Sequence, residues 1–203
     1  MLDKQMRSVK ESVLRPAATW LGTQFTPTEI TLAGGAIGIA AAGFAWQGWY
    51  MAGLGLWLVN RILDGLDGTV ARMFNKQSDL GGYIDILVDN LIYAIVPIGL
   101  ALSIGTPIVY VALIFMLAAF YINSASWMIL SSILEKRAQG AKSSGEMTTV
   151  TMPHGLIEGT ETIAFYVLFF LLPQLMPALF ITMGVLVLIT VGQRLQWAWQ
   201  HLD

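Results

Sequence analysis

Four aspartates lie close together in an otherwise apolar stretch of the sequence, at Asp64, Asp67, Asp85 and Asp89. A charged side chain in the hydrocarbon region of a bilayer costs about 3 kcal/mol or more. Four such acids are therefore expected to face a polar cavity and to hold cations there. The pattern predicts a metal-dependent active site within a membrane.

The spacing of these acids predicts that their side chains converge. Asp64 and Asp67 are three residues apart and Asp85 and Asp89 four apart, so each pair shares one helix face. The turn between the two helices centres near Lys76, nine residues from both Asp67 and Asp85. In an antiparallel hairpin these two acids lie at matching depth, about 13 Å from the turn at 1.5 Å per residue.

The types of residue in this hairpin suggest which ligands it binds. The chain has no cysteine and no histidine nearby, and oxygen ligands favour Mg²⁺, Mn²⁺ or Ca²⁺ over Zn²⁺. Two such ions can bridge a diphosphate and polarise its phosphorus. Gly68, Ala71 and Gly81 could form the floor of a nucleotide pocket, or could serve only for close helix packing.

The composition determines which elements position this hairpin. With 56% hydrophobic and 12% charged residues over 203 positions, the chain is predicted to be an all-α integral membrane protein. We expect a single membrane domain over residues 1–203, with an amphipathic interfacial helix at 1–22 and a six-helix transmembrane catalytic domain at 23–203. Nucleic-acid binding has no support. The six predicted spans cover residues 27–47, 49–74, 80–103, 107–134, 152–173 and 177–199.

The basic residues predict the orientation in the membrane. They precede the first span or fall in alternate connections, so the positive-inside rule places both termini and the acidic hairpin's turn in the cytoplasm. The connection from Lys136 to Thr151 is predicted to be a surface loop. The basic residues used are Lys4, Arg7, Lys10, Arg15, Arg72, Lys76, Lys136, Arg137, Lys142 and Arg194.

The order of the residues in the hairpin resembles the signature of the CDP-alcohol phosphotransferase (CDP-alcohol phosphatidyltransferase) family of membrane enzymes. The matching pattern is Asp64-x2-Asp67-Gly68-x2-Ala71-Arg72-x8-Gly81-x3-Asp85-x3-Asp89, which covers 26 residues. The six predicted spans and the amphipathic start are also similar to that family. Its members are typically homodimers, which we expect here by analogy.

The resemblance implies an activity and a role for each residue. A phosphatidyl group would pass from CDP-diacylglycerol to an alcohol hydroxyl with release of CMP, in phospholipid biosynthesis at a bacterial or archaeal cytoplasmic membrane. Two Mg²⁺ or Mn²⁺ ions would be held by the four aspartates, and Asp89 would also act as general base. The CDP-binding residues would be Asp64, Gly68, Ala71, Arg72 and Gly81.

The acceptor alcohol is harder to predict. His154, Glu158 and Glu161 share one helical face at the start of the fifth span and could line an acceptor site, but acids also complement a helix N-terminus. If they do line it, an amine-bearing or uncharged polyol acceptor is expected. Arg61, three residues before Asp64, could contact the acceptor or diphosphate, or could be a buried counter-ion for the acids.

Two other functions fit parts of the pattern. An intramembrane Mg²⁺-dependent prenyltransferase also binds diphosphate through aspartates, but it normally uses two acidic motifs on separate helix pairs. A cation transporter would place acids at several depths, whereas all the acids here lie in the cytoplasmic half or in loops. Both alternatives therefore rank below the phosphotransferase.

Overall fold

The computed structural model describes residues 14–137 and 155–202, and its regular elements there are helices. Residues 14–24 form helix α1. The following helices are α2 Pro27–Trp46, α3 Tyr50–Met73, α4 Asp79–Ile104, α5 Pro107–Lys136, α6 Gly159–Leu171 and α7 Met176–His201, with a 3₁₀ turn at Pro173–Leu175. The predicted all-helical class is confirmed for this part of the chain.

Within residues 14–137 and 155–202, four helical segments are long and apolar enough to cross a bilayer: α2, α4, α5 and the stretch Pro173–His201 that includes α7. Helix α3 has 24 residues but carries four charged residues, Arg61, Asp64, Asp67 and Arg72. Helix α6 begins at Gly159 and has 13 residues, about 20 Å at 1.5 Å per residue. The predicted fifth span at 152–173 is therefore helical over a shorter range, and the count of six spans is not confirmed.

Local side-chain contacts explain where the helices near the acidic hairpin begin. Thr26 caps α2 in a capping box with Glu29: its Oγ1 accepts from the Glu29 N–H at 3.3 Å, and the Glu29 carboxylate accepts from the Thr26 N–H at 2.7 Å. Ser78 caps α4, because its Oγ accepts from the Gly81 N–H at 3.1 Å. Asn75 adopts φ 52° in the turn between α3 and α4, a conformation that asparagine tolerates.

The described residues form two compact units, and the first contains residues 14–106 and 167–174. In this unit α2 packs closely against both α3 and α4. Glycines on α2 allow the approach: a Cβ on Gly34 would lie 3.3 Å from Leu63 of α3, and one on Gly38 would lie 2.6 Å from Ile92 of α4. Helix α2 therefore sets the positions of both helices that carry the aspartates.

Helix α1 also packs within the first unit. Ala18 lies in a hydrophobic cluster with Ile30 of α2 and with Leu66 and Val70 of α3. The predicted interfacial helix covered residues 1–22; residues 1–13 lie outside the described residues, and an interfacial position is not confirmed for the rest.

The second unit contains residues 107–137, 155–166 and 175–202 of the described chain. Helices α5 and α7 pack against each other, and a Cβ on Gly184 of α7 would lie 2.7 Å from Phe115 of α5. Most of the predicted Lys136–Thr151 loop and all of His154 lie outside the described residues.

Candidate active site

The acidic hairpin consists of α3 and α4, and it brings the four aspartates together as the spacing predicts. The Asp64 carboxylate interacts electrostatically with those of Asp89, Asp67 and Asp85. Asp67 likewise interacts with Asp85 and Asp89. Asp64 and Asp89 keep 27% and 32% of their side-chain surface exposed, so solutes can reach the cluster.

Asp67 is the most buried of the four acids, with 4% of its surface exposed. Its Oδ2 accepts a hydrogen bond from the Thr31 hydroxyl of α2 at 2.6 Å. Its Oδ1 accepts one from the Gly68 N–H at 2.5 Å. These bonds satisfy a buried carboxylate, and the one from Thr31 links it to α2.

Arg61 supplies a positive charge next to two of the four acids. It is 7% exposed, and its Nη2 donates to Asp89 Oδ1 at 2.9 Å across the hairpin. Its Nη1 lies 3.8 Å from Asp64 Oδ2, one helical turn away on α3. Of the two predicted roles for Arg61, the contacts observed are those of a buried counter-ion.

Two neighbouring side chains hold the Arg61 guanidinium in place. Its Nε donates to Asn60 Oδ1 at 2.9 Å, and its Nη1 donates to the Tyr93 hydroxyl at 3.0 Å. The Tyr93 ring centroid lies 4.8 Å from the guanidinium carbon. Asn60 in turn donates to the Gly34 carbonyl of α2 at 2.9 Å. The network therefore joins α2, α3 and α4.

Three residues of this network, Thr31, Asn60 and Tyr93, were not predicted from the sequence. Tyr93 follows Asp85 and Asp89 at intervals of four residues, so helical spacing could have identified it. Thr31 could not be identified in this way, because it comes from a different helix.

The donor set fits a hard divalent cation by its chemistry. It consists of carboxylates, whose oxygens are the ligands that Mg²⁺ and Mn²⁺ prefer. Among residues 14–137 and 155–202, neither Asp64 nor Asp85 accepts a hydrogen bond from another residue, which leaves their oxygens available. In those same ranges, no group of three or more His, Asp or Glu side chains already has metal-binding geometry.

The predicted CDP-binding residues lie on the same two helices, toward their connecting turn. Gly68 and Ala71 are partly exposed on α3, and Gly81 is partly exposed in the first turn of α4. A Cβ on Gly68 would lie 3.3 Å from Arg72 Nη1. Gly68 therefore allows the Arg72 side chain to lie close to the backbone of α3.

The predicted acceptor residues Glu158 and Glu161 lie in the second unit, where each contacts nearby backbone. Glu158 Oε1 accepts from the Gly155 N–H at 3.3 Å, and Glu161 Oε2 accepts from the Glu158 N–H at 3.2 Å. These are the contacts of acids at a helix N-terminus. A contact of either residue with an acceptor stays a prediction.

A second buried arginine was predicted only as an orientation charge. Arg194 of α7 is 6% exposed, and its Nη1 donates to Asn123 Oδ1 at 3.0 Å and lies 3.4 Å from Ser126 Oγ, both on α5. Its Nε has no hydrogen-bond partner in the part of the chain that the structure describes.

Comparison with known proteins identifies the class of protein that this site defines. The sequence model of the CDP-alcohol phosphatidyltransferase family matches residues 24–193. The chain therefore belongs to the CDP-alcohol phosphatidyltransferase family, as the motif suggested. It is an enzyme of phospholipid synthesis and an integral membrane protein.

Relatives among characterised sequences are consistent with this family. The chain is 36% identical to the inner membrane protein YnjF of Escherichia coli over 174 residues, 85% of this chain and 83% of the relative. It is 36% identical to archaetidylinositol phosphate synthase of Pyrococcus horikoshii over 104 residues, 51% of this chain and 55% of the relative. It is also 36% identical to CDP-diacylglycerol–serine O-phosphatidyltransferase of Mycobacterium bovis over 74 residues, 36% of this chain and 26% of the relative.

Solved structures share the fold. Phosphatidylinositol phosphate synthase of Mycobacterium tuberculosis with CDP-DAG bound superimposes with a TM-score of 0.69 at 22% identity, over 91% of this chain and 92% of that chain. The same enzyme in complex with manganese and citrate also gives 0.69 at 22% identity, over 91% of this chain and 88% of that chain.

Proposed function

We propose that this enzyme transfers a phosphatidyl group from CDP-diacylglycerol to the hydroxyl of an alcohol, with release of CMP, and that it depends on divalent metal. The main support is the convergence of four carboxylates from α3 and α4. The donor is proposed from the family and from the related synthase that was solved with CDP-DAG bound. The family match also favours this reaction over the prenyltransferase and the transporter.

In the proposed reaction, residues of the hairpin bind the metal ions and accept a proton. Asp64, Asp67 and Asp85, with Asp89 beside them, would hold the Mg²⁺ or Mn²⁺ ions. When bound, two such ions neutralise the diphosphate of the donor and polarise the phosphorus under attack. A related synthase was solved in complex with manganese, which supports this choice of metal.

Asp89 is proposed as the general base. It would accept the proton of the acceptor hydroxyl while the hydroxyl oxygen forms a bond to the phosphorus that carries diacylglycerol. The bond from that phosphorus to CMP breaks in the same displacement, and CMP leaves. Gly68, Ala71, Arg72 and Gly81 would line the CDP site, with Asp64 at its edge.

The proposed topology has six spans in a single membrane domain over residues 1–203, with both termini and the acidic site in the cytoplasm. Helix α3 supports this count, since its 24 residues exceed the roughly 20 that a crossing needs. Residues 1–22 would lie at the membrane interface. We propose a homodimer in a bacterial or archaeal cytoplasmic membrane, as the family resemblance suggests.

The acceptor is proposed to be an amine-bearing or uncharged polyol alcohol, with His154, Glu158 and Glu161 in its site. The relative that transfers to serine supports an amine-bearing acceptor. Exchanging Glu158 and Glu161 together for Gln should change the order of preference among acceptors. An unchanged order, with CDP binding intact, would remove both residues from the acceptor site.

The proposed function is tested by direct assay. Protein purified in detergent is incubated with radiolabelled CDP-diacylglycerol, Mg²⁺ or Mn²⁺, and a panel of glycerol 3-phosphate, serine, inositol phosphate, ethanolamine and phosphatidylglycerol. We expect labelled lipid product and CMP with at least one alcohol, and loss of both when the metal is chelated. The proposal fails if no alcohol yields product and if neither CDP nor CMP with metal stabilises the protein against heat.

A further inference from the structure

Thr31 of α2 is buried and forms a hydrogen bond to an aspartate on another helix. Its side chain is 7% exposed, and its hydroxyl oxygen lies 2.6 Å from Asp67 Oδ2 on α3 and 3.1 Å from the carbonyl oxygen of Pro27 on its own helix. A hydroxyl has one proton, so one of these two acceptors receives it at a time. The shorter distance and the negative charge of the carboxylate favour Asp67.

Other threonines within helices form a different bond. Thr69 of α3 and Thr162 of α6 donate to the carbonyl four residues earlier, at 2.7 and 2.8 Å. That bond within one helix is common for threonine and positions no side chain on a neighbouring helix. Thr69 is also buried, at 4% exposed, so burial alone does not produce the bond between helices that Thr31 forms.

The packing of α2 against α3 fixes the position of Thr31. Helix α2 begins at Pro27, about one turn before Thr31. About one turn later, the Gly34 carbonyl accepts from the Asn60 side chain of α3 at 2.9 Å, and a Cβ on Gly34 would lie 3.3 Å from Leu63. The Thr31 hydroxyl is therefore held at a set distance from α3.

Two hydrogen bonds determine how the Asp67 carboxylate is turned. The Gly68 N–H donates to Oδ1 at 2.5 Å and the Thr31 hydroxyl donates to Oδ2 at 2.6 Å. A carboxylate held at one oxygen still turns about that bond, whereas one held at both oxygens does not. Its oxygens have about four lone-pair sites, so two bonds leave sites for a cation. In this orientation Asp67 interacts electrostatically with Asp85 and Asp89 of α4.

Holding this carboxylate matters because the acids of the cluster repel one another. Without a cation, the like charges of Asp67 and Asp85 favour turning the two carboxylates apart. An acid that is already held in place loses less conformational freedom when a cation binds, so its affinity for the cation is higher. Removing the hydrogen-bond partner of a metal-binding side chain typically lowers metal affinity by about 10- to 100-fold.

We propose that Thr31 is a positioning residue, whose hydroxyl holds the Asp67 carboxylate in the orientation that binds a divalent cation. This proposal rests on the proposed function, in which Asp67 is a cation ligand. It adds a residue of α2 that lies outside both the acidic hairpin and its sequence motif. Thr31 acts through Asp67 and takes no part in the transfer reaction itself.

The deciding experiment measures Mn²⁺ affinity of the full chain in detergent, without substrates. Thr31→Val keeps the shape of the side chain but removes the hydroxyl, and should weaken Mn²⁺ binding at least about tenfold. Thr31→Ser keeps the hydroxyl and should stay within about threefold of the wild type. Unchanged or tighter Mn²⁺ binding in Thr31→Val overturns the proposal, as does an equal loss in Thr31→Ser.

Thr69→Val is the matched control. It removes a buried hydroxyl two residues from Asp67 on the same helix, but that hydroxyl donates to the Gly65 carbonyl. Mn²⁺ affinity should therefore stay unchanged in Thr69→Val. A loss as large as in Thr31→Val would show that any buried hydroxyl near the cluster has this effect, and would contradict a specific role for Thr31.

The dependence of transfer rate on Mn²⁺ concentration distinguishes positioning from a general loss of structure. In Thr31→Val the half-saturating Mn²⁺ concentration should rise about tenfold, and the rate at saturating Mn²⁺ should return to within about threefold of the wild type. A rate that stays low at every Mn²⁺ concentration would mean damage to the site beyond Asp67, and would overturn the proposal.

A second pair of variants does not depend on Thr31→Val folding. Thr31→Ala and Thr31→Ser both lose the methyl group and differ from each other only in the hydroxyl. The serine variant should bind Mn²⁺ at least about fivefold more tightly than the alanine variant. Equal affinities in this pair also overturn the proposal.

The Mn²⁺ titrations also separate this proposal from the proposed function, because they need neither donor nor acceptor. If the wild type transfers to no alcohol in the panel but the affinities follow the expected order, the reaction is wrong and the role of Thr31 stands. If the wild type forms lipid product with Mn²⁺ and the affinities do not follow that order, only the role of Thr31 is wrong.

Discussion

Two arginines are buried in the helices that the structure describes, and their surroundings differ. Arg61 in the first unit contacts the carboxylate of Asp89 at 2.9 Å. Arg194 in the second unit contacts neutral oxygens, those of Asn123 and Ser126, and the described residues contain no carboxylate within ion-pair distance of it. Both are more than nine-tenths buried, so burial alone does not distinguish them.

The comparison shows how a carboxylate partner changes the cost of removing a buried arginine. Removing one member of a buried ion pair leaves an unbalanced charge behind, whereas replacing a buried charge that has only neutral partners strands no charge. Arg61 should therefore be costly to remove for both stability and chemistry. Arg194 should be less costly, unless a ligand contacts it during the reaction.

The largest expected effect is on the transfer rate, when an aspartate of the acidic hairpin in the first unit is replaced. Asp85→Asn should lower the transfer rate about 100- to 1000-fold, because charge stabilisation at the reacting phosphorus is lost. Asp79→Asn is the matched control, since Asp79 is an exposed acid at the start of the same helix. Rates are measured as CMP release in detergent; equal losses in the two variants would contradict the assignment of the cluster.

Replacing each buried arginine with methionine tests the comparison directly. Arg61→Met should lower the free energy of unfolding by about 3 kcal/mol, because Asp89 and Asp64 lose their counter-ion. Arg194→Met should change it by less than about 1 kcal/mol, because removing a buried charge whose Nε has no partner among the described residues offsets the loss of part-buried bonds to neutral oxygens. Chemical unfolding in mixed micelles measures both free energies. Equal losses would show that the carboxylate partner does not determine the loss of stability.

Two threonines extend the comparison to hydrogen bonds. The Thr31 hydroxyl donates to the buried Asp67 carboxylate at 2.6 Å, whereas Thr190 Oγ1 accepts from the Ile157 N–H at 2.9 Å. Thr31→Val should lower the free energy of unfolding by about 2 kcal/mol and Thr190→Val by about 1 kcal/mol. The difference is expected because hydrogen bonds to ionised groups are stronger than those between neutral groups. The reverse order in the same unfolding assay would argue against an ionised Asp67.

The smallest expected effect concerns the outermost partners of the two arginines. Tyr93→Phe should lower the free energy of unfolding by about 1 kcal/mol, the usual contribution of one hydrogen bond. Ser126→Ala should change stability by less than about 0.5 kcal/mol, because Asn123 still accepts from Arg194 at 3.0 Å. A larger loss for Ser126→Ala would show that the second unit depends on its polar contacts as much as the first.

Much of the acidic hairpin could be predicted from the sequence because its geometry is local. Helical spacing places Asp64 with Asp67 and Asp85 with Asp89, and a short turn near Lys76 brings the two pairs to similar depth. The same rule would have added Tyr93. The start of α6 was predicted less well, because the Leu156 and Ile157 N–H groups donate to the Gln193 and Thr190 side chains of α7, which no local pattern reveals.

The amino-acid sequence by itself determined the family, the helical class and the four acids, since these depend on residue type and on spacing along one hairpin. Only the tertiary structure decided which acid Arg61 contacts. It also decided that Thr31 of α2 bonds to Asp67 and that Gly34 of α2 bonds to Asn60. The physical reason is that hydrogen bonds between helices depend on how their backbones approach. That approach follows from packing at residues such as Gly38 and Ile92, which lie outside the motif.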